Sequence, residues 1–327
     1  MAVAQAKSRA SSLALRKVEA AGGFSSRLHL FCLRAAAAAS HLAGDRGMQR
    51  FTWGLARHFF SANNSAVLEM AAGGRLKIRL GDGYWTRLLI PGFRYEPEIW
   101  SPLSRVLREP EVFFLDCGAN IGYWSVVSSQ FLPPGRILAV EASPPNYEQL
   151  LENAKLNGDK FQAEWGALWE RDGENVVIVS HELRHAGSSI VDRRDKIGMT
   201  GYRQHDVETV TIDTLCGRYV PDPEARIVIK LDVEGAEIPA LRGARKTLGE
   251  RQVMVLYEDH GHDPECRVSD FVMSELEFEV FHCSRNMKIR RMRSLADIRA
   301  LKVDANAGYN FAAFSKGSPF SALFAES

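Results

Sequence analysis

Acids placed at the ends of short apolar runs are the residues of this chain most able to do chemistry. Asp116 closes the run from Val112 and is followed by Gly118, Asn120 and Gly122; Glu141 closes Arg136 to Val140. A carboxylate at a strand tip can hold hydroxyls or an amine. Glycines beside it let the backbone approach a ligand where a Cβ would interfere, and the start of a helix offers unpaired N–H groups. That combination suits a nucleotide-like cofactor, with Glu141 on ribose hydroxyls as in doubly wound α/β proteins. The spacing from Gly118 to Gly122 is G-x-x-x-G and lacks the third glycine of the dinucleotide fingerprint, so no pyrophosphate cradle is expected.

A second set of acids could serve a substrate. Asp232, Glu234 and Glu237 follow the apolar run 226–231, and Glu258, Asp259, His260 and His262 follow 252–257. Clustered carboxylates raise one another's pKa, so Asp232, Glu234, Glu258 or His260 could act as general base toward a hydroxyl. Asp232 and Glu237 could equally cap the helix that follows. Asn120 either bonds backbone in its turn or meets the cofactor. A metal at 258–262 would need a third, distant ligand, and none is expected.

These residues need an open, mostly parallel sheet to bring them to one rim. Val112–Leu115 is short and flanked by polar residues, as a strand buried on both faces reads. Further strands are expected at 136–141, 161–167, 226–232, 252–258, 278–282 and 310–315, with helices at 123–131, 147–156 and 237–248. Residues 175–180 and 208–212 read as strands of an insertion over the site. Gly166, Ala167 and Leu168 fall at the end of the third of the sheet strands.

The segments 116–123 (Asp-Cys-Gly-Ala-Asn-Ile-Gly-Tyr), 141–144 (Glu-Ala-Ser-Pro), 230–237 (Lys-Leu-Asp-Val-Glu-Gly-Ala-Glu) and 257–258 (Tyr-Glu) resemble the FkbM family of S-adenosylmethionine-dependent methyltransferases. The resemblance runs from about 90 to 315 in the right order; Ala142 stands where the family commonly has proline. It implies a class I, Rossmann-like methyltransferase of α/β class with a seven-stranded sheet. S-adenosylmethionine would lie on Asp116, Gly118, Asn120, Gly122, Glu141, Ala142, Ala167, Leu168 and Asp232, and a hydroxyl on a sugar, glycan or small metabolite would accept the methyl group. A nucleotide-dependent oxidoreductase and a non-catalytic cofactor-binding scaffold are the competing readings.

The 327 residues suffice for one large domain, and 46% hydrophobic content supports a core. The near-zero net charge hides an asymmetry. Residues 1–60 carry nine Lys or Arg and two acids, leaving 32 basic and 38 acidic residues in the mildly acidic remainder, which excludes the basic footprint of a nucleic-acid binder. The boundaries read as a basic Ala/Arg-rich extension (1–60), a β-hairpin and lead-in helix (61–110), the catalytic domain (111–317) and a tail (318–327). The hairpin is expected over 75–90 through Gly81-Asp82-Gly83, an apolar-faced helix over 48–60, and residues 1–45 are expected to be dispensable. No apolar window reaches the roughly 18 residues of a membrane span. The basic start reads first as a solvated or partly disordered tail or as helices packed on the domain, with a transit peptide or membrane-surface helix as the alternative. Five cysteines without a C-x-x-C pair fit a reduced, cytoplasmic compartment.

Overall fold

The computed structural model describes residues 13–43, 54, 58–61, 63–109, 111–181, 184–189, 202–305 and 307–324. The chain opens with β1 (Leu15–Ala21), a helix over Phe24–Ala43, and the hairpin β2 (Ser65–Met70) and β3 (Arg75–Arg79). It then lays down β4 (Val112–Cys117), β5 (Ile137–Glu141) and β6 (Gln162–Trp165). A detour follows through β7 (Ala167–Leu168), β8 (Asn175–His181), β9 (Arg184–Ser189) and β10 (Tyr202–Val210). The last strands are β11 (Arg226–Leu231), β12 (Val253–His260), β13 (Phe278–Cys283), β14 (Ile289–Met292) and β15 (Gly308–Ser315).

The main sheet has the order β14-β13-β15-β12-β11-β4-β5-β6. β12, β11, β4, β5 and β6 are parallel, while β15, β13 and β14 alternate direction at one edge. Seven of these strands are the expected ones. The eighth, β14, extends the sheet as a hairpin with β13, where Val280 pairs with Met292. β4 is buried throughout because both faces are covered: Phe114 joins one core with Ile137, Val228 and Met254, and Phe113 and Leu115 join the other with Leu138, Ile227 and Ile229. The expected helix 237–248 is broken. Gly243 lies so close to Trp169 that an added Cβ would sit 2.1 Å from its carbonyl oxygen, so two short helices, Glu237–Arg242 and Arg245–Glu250, replace it.

The expected hairpin over 75–90 is corrected. Its strands are β2 and β3, turning at Ala71 to Gly74, where Gly73 has φ +101°. Asp82 does not reverse the chain. Its carboxylate accepts from Tyr84 N at 2.7 Å and its carbonyl from Thr86 Oγ1 at 2.7 Å, which winds Trp85–Leu89 into a 3-10 turn. The helix expected over 48–60 falls largely outside the described residues.

The expectation that residues 1–45 are dispensable also meets a contrary structure. β1 pairs antiparallel with β2, from Leu15 opposite Met70 to Ala21 opposite Ser65. Leu30, Leu33 and Ala37 of the following helix are buried. The far edge of this small sheet is closed by the helix Pro144–Leu156: Lys77 N donates to Asn153 Oδ1 at 2.7 Å and Arg75 N to Asn157 Oδ1 at 2.9 Å. Asn153 Nδ2 also donates to Ile121 O at 2.8 Å, so one side chain ties the edge strand to the loop after β4. At the other terminus, Phe320 and Phe324 are buried against Phe314 of β15.

Candidate functional site

The carboxyl ends of β4, β5 and β11 form the floor of a cleft enclosing about 800 Å³, part of it open to solvent. The mix of apolar walls with a few polar groups fits a small-molecule site. Two contacts fix the glycine loop. Gly118 N and Ala119 N both donate to Val140 O, at 3.0 and 2.9 Å. Gly118 (φ +74°) passes so close to β11 that a Cβ would lie 1.8 Å from Asp232 O, so glycine here joins two strand tips. At Gly122 the space for a Cβ is taken by Leu150 Cδ1, 2.6 Å away, which makes helix packing its evident constraint.

Glu141 is buried at the tip of β5. Its Oε2 accepts from Asn120 N at 2.7 Å and its Oε1 from Ser143 N at 2.8 Å. Burial pushes its carboxyl above the ordinary range, against the pull of those N–H groups. The Asn146 side chain and the Ala142 backbone also hydrogen-bond to this carboxylate. Asn120 adopts a left-handed φ of +54°, which Asn tolerates better than most residues. Its Oδ1 accepts from Ile121 N at 2.9 Å and from Trp85 Nε1 at 3.1 Å.

Asp116 is buried beneath the loop, where Oδ2 accepts from Ser125 Oγ at 2.7 Å and Oδ1 has no hydrogen-bond partner. Burial raises its pKa, with Lys230 opposing. Lys230 is paired in register with Asp116 across β11 and β4, and its Nζ lies 3.1 Å from Asp232 Oδ2. Burial works against its charge, but Asp232, Asp116 and Glu96 outweigh it and hold the ammonium protonated beyond the usual lysine range.

Glu96 faces the same lysine from the segment before β4. It has a left-handed φ of +39°, and its Oε2 accepts from Trp124 Nε1 at 2.8 Å. Burial raises its pKa to about 7, Lys230 lowering it and Asp232 raising it further. Glu258 on β12 is pushed up to about 9 by burial and by Asp232, Glu96 and Glu234. Its carboxyl occupies the space a Cβ at position 308 would need, so Gly308 is what leaves room for it. His260 Nδ1 lies 3.5 Å from Glu258 Oε1, and burial and His262 lower its pKa.

Of the residues expected to form the site, Gly118, Asn120, Glu141, Ala142, Leu168, Asp232 and Glu234 line the cleft. Asp116 lies under it, and Glu258 and His260 stand on the neighbouring strand end. Ala167 is fully buried where β7 pairs with β10, and the inserted sheet adds Ile178 to the cleft wall. Glu237 caps its own turn, accepting from Gly235 N at 3.1 Å and Val233 N at 3.3 Å. Asp259 is tied to Lys302 at 2.6 Å and Ser269 N at 3.2 Å. Among the described residues no three His, Cys, Asp or Glu side chains are grouped to hold a metal ion.

Sequence reasoning missed Lys230, Glu96 and the aromatic wall of Tyr84, Trp85, Tyr95, Tyr123 and Trp124. Lys230 carried a signal: a lysine inside a run otherwise apolar enough for full burial requires a partner. The aromatic wall is continuous, with Tyr95 and Tyr123 ring centroids 4.5 Å apart and Tyr84 Oη 3.0 Å from Tyr95 Oη.

A parallel run bordered by an antiparallel edge, with a glycine loop after the first strand and an acid at the tip of the second, defines the class I, Rossmann-like methyltransferase fold. The family model described as Methyltransferase FkbM domain matches residues 116–309, and the chain belongs to that family. Curated relatives include Methyltransferase sdnD of Sordaria araneosa, 30% identical over 158 residues that cover 40% of this chain and 60% of that protein. Hexuronic acid methyltransferase AglP of Haloferax volcanii is 24% identical over 204 residues, covering 60% of this chain and 76% of the relative. The chain thus spans less than two thirds of the first of these. Among solved structures, the FkbM methyltransferase of Methylobacillus flagellatus KT aligns at 15% identity and a TM-score of 0.33, covering 62% of this chain and 43% of that one.

Proposed function

We propose that the protein is an S-adenosylmethionine-dependent methyltransferase that methylates a hydroxyl oxygen of a sugar, glycan or other small metabolite. The observation that carries this reading is Lys230, buried between Asp116 and Asp232 and faced by Glu96, at the mouth of the glycine loop. The residues present fit the cofactor. Asp116 Oδ1 is a buried acceptor without a partner and suits the methionine amino group, directly or through water, and Glu141 lines the cleft at the tip of β5, where a carboxylate can take ribose hydroxyls. When bound, S-adenosylmethionine supplies a methyl group on a sulfonium, an electrophile that needs positioning more than activation.

The chain's own part is to orient the acceptor and take its proton. The candidate bases are Asp232 and Glu234, which line the cleft, and Glu96, Glu258 and His260, which each feel the charge of Asp232. Glu96, raised by burial to about 7, is the better base near neutrality, whereas Glu258, pushed up to about 9, holds its proton there. Lys230 keeps Asp232 oriented and balances part of the negative charge. One relative is named for hexuronic acid, which makes sugars the first acceptors to try.

The test is turnover with labelled methyl donor against a panel of glycans and metabolites. An O-methylated sugar supports the proposal. Methylation confined to nitrogen or carbon acceptors contradicts it.

A further inference from the structure

The helix Phe24–Ala43 has two apolar faces, and among the described residues one of them is covered and the other exposed. Leu30, Leu33 and Ala37 pack inward, where the helix meets β1, β2 and the 85–89 turn. Phe24, Leu28 and Phe31 are 79%, 41% and 69% exposed. At about 100° per residue these three fall within roughly 60° of one another on the opposite side. A Phe-Leu-Phe stripe in water is unfavourable for a protein that stays free in solution.

The charge beside the stripe is of one sign. Arg27 and Arg34 run along one flank of it and make no ion pair among the described residues. Arg34 also borders a groove between the helix, β1 and residues 88–94, to which Arg16, Lys17 and Arg94 contribute and no acid does. Arg16 and Lys17 reach glutamates outside it, the half-buried Glu69 at 3.5 Å and the exposed Glu19 at 2.6 Å. Projecting aromatics flanked by arginines next to a cationic groove match a bilayer carrying anionic headgroups, with rings entering the acyl boundary and arginines at the phosphates. No helix among the described residues is long and apolar enough to cross a membrane, so the attachment is to the surface.

We propose that the outer face of the helix Phe24–Ala43, with the adjoining cationic groove, docks the protein on an anionic lipid surface. The same segment gives Leu88 to Arg94 to this groove and Tyr84, Trp85 and Tyr95 to the cleft.

Flotation of the full chain with vesicles of phosphatidylcholine alone, or of phosphatidylcholine and phosphatidylglycerol in equal parts, tests this. Binding is expected to the anionic vesicles only, and to fall in high salt. Phe24→Ser with Phe31→Ser should weaken it at least about tenfold. Arg27→Glu with Arg34→Glu should weaken it more than about twentyfold, because each cation at an anionic surface is worth about fivefold. Thermal melts of both variants, matching the parent, exclude misfolding. No binding to anionic vesicles, or binding that both folded variants retain, overturns the proposal. A chain that self-associates through Phe24 and Phe31 without binding vesicles also overturns it and assigns the face to a second copy.

Discussion

Trp85 Nε1 donates to Asn120 Oδ1 at 3.1 Å, joining the segment before β4 to the glycine loop. Asn120 N in turn donates to Glu141, so the 3-10 turn, the loop and the acid at the tip of β5 form one chain of hydrogen bonds. Trp85→Phe keeps the ring packing and removes the donor. It should cost about 1 kcal/mol of stability and weaken S-adenosylhomocysteine binding about threefold to tenfold, both measurable on the purified variant. Unchanged affinity would show that the loop holds its shape without the tether.

The pairing of β1 with β2 predicts the fate of a chain that begins at residue 46. Such a chain loses one edge of the small sheet together with Leu30 and Leu33, each worth about 1.5–3 kcal/mol when buried. It should be insoluble or melt at least about 10 °C lower. A truncated chain that melts with the parent would make this strand and helix an appendage.

What could be read beforehand follows the range of the forces involved. The parallel strands were legible because burial on both faces leaves a continuous apolar run, as in Phe113-Phe114-Leu115, and Asp116 and Glu141 were legible because they end such runs. The hairpin was misplaced because Gly81-Asp82-Gly83 has turn chemistry in either conformation, and the bond from Tyr84 N to Asp82 is what selects a 3-10 turn. Gly73-Gly74 carried an equal turn signal for the real hairpin, so two glycine turns competed in sequence. Glu96 was invisible because its partners are remote in sequence: Trp124 is 28 residues on, and Lys230 comes from another strand.

Glu258 should make stability depend on pH. Its carboxyl stays protonated in the native state up to about pH 9, whereas in the unfolded chain it ionises near the ordinary 4.5. Its contribution is therefore fully present below about pH 4.5 and is lost as pH rises through about 9. Between pH 5 and 9 the parent should lose more stability than Glu258→Gln, by on the order of 1 kcal/mol or more. Urea unfolding of both proteins at the two pH values checks this; parallel losses would contradict it.

Glu96 should shape the pH dependence of catalysis. A base that must be ionised and has a pKa of about 7 gives kcat/KM a limb rising through neutrality. Glu96→Gln keeps an oxygen for Trp124 Nε1 and removes the ionisation. The limb should vanish, with turnover down about 10²- to 10⁴-fold and cofactor affinity within a few-fold. A limb that persists in this variant would rule out Glu96 as the base.

Calorimetry with S-adenosylhomocysteine and with NAD tests the central claim, that the cleft above Asp116 and Glu141 holds the methyl donor. S-adenosylhomocysteine should bind at one site per chain and NAD should give no heat. Glu141→Ala should weaken that binding by about 30- to 1000-fold, through the ribose hydroxyls and through Asn120 N, which loses its acceptor. Heat with NAD alone, or S-adenosylhomocysteine binding that Glu141→Ala leaves unchanged, would contradict the account.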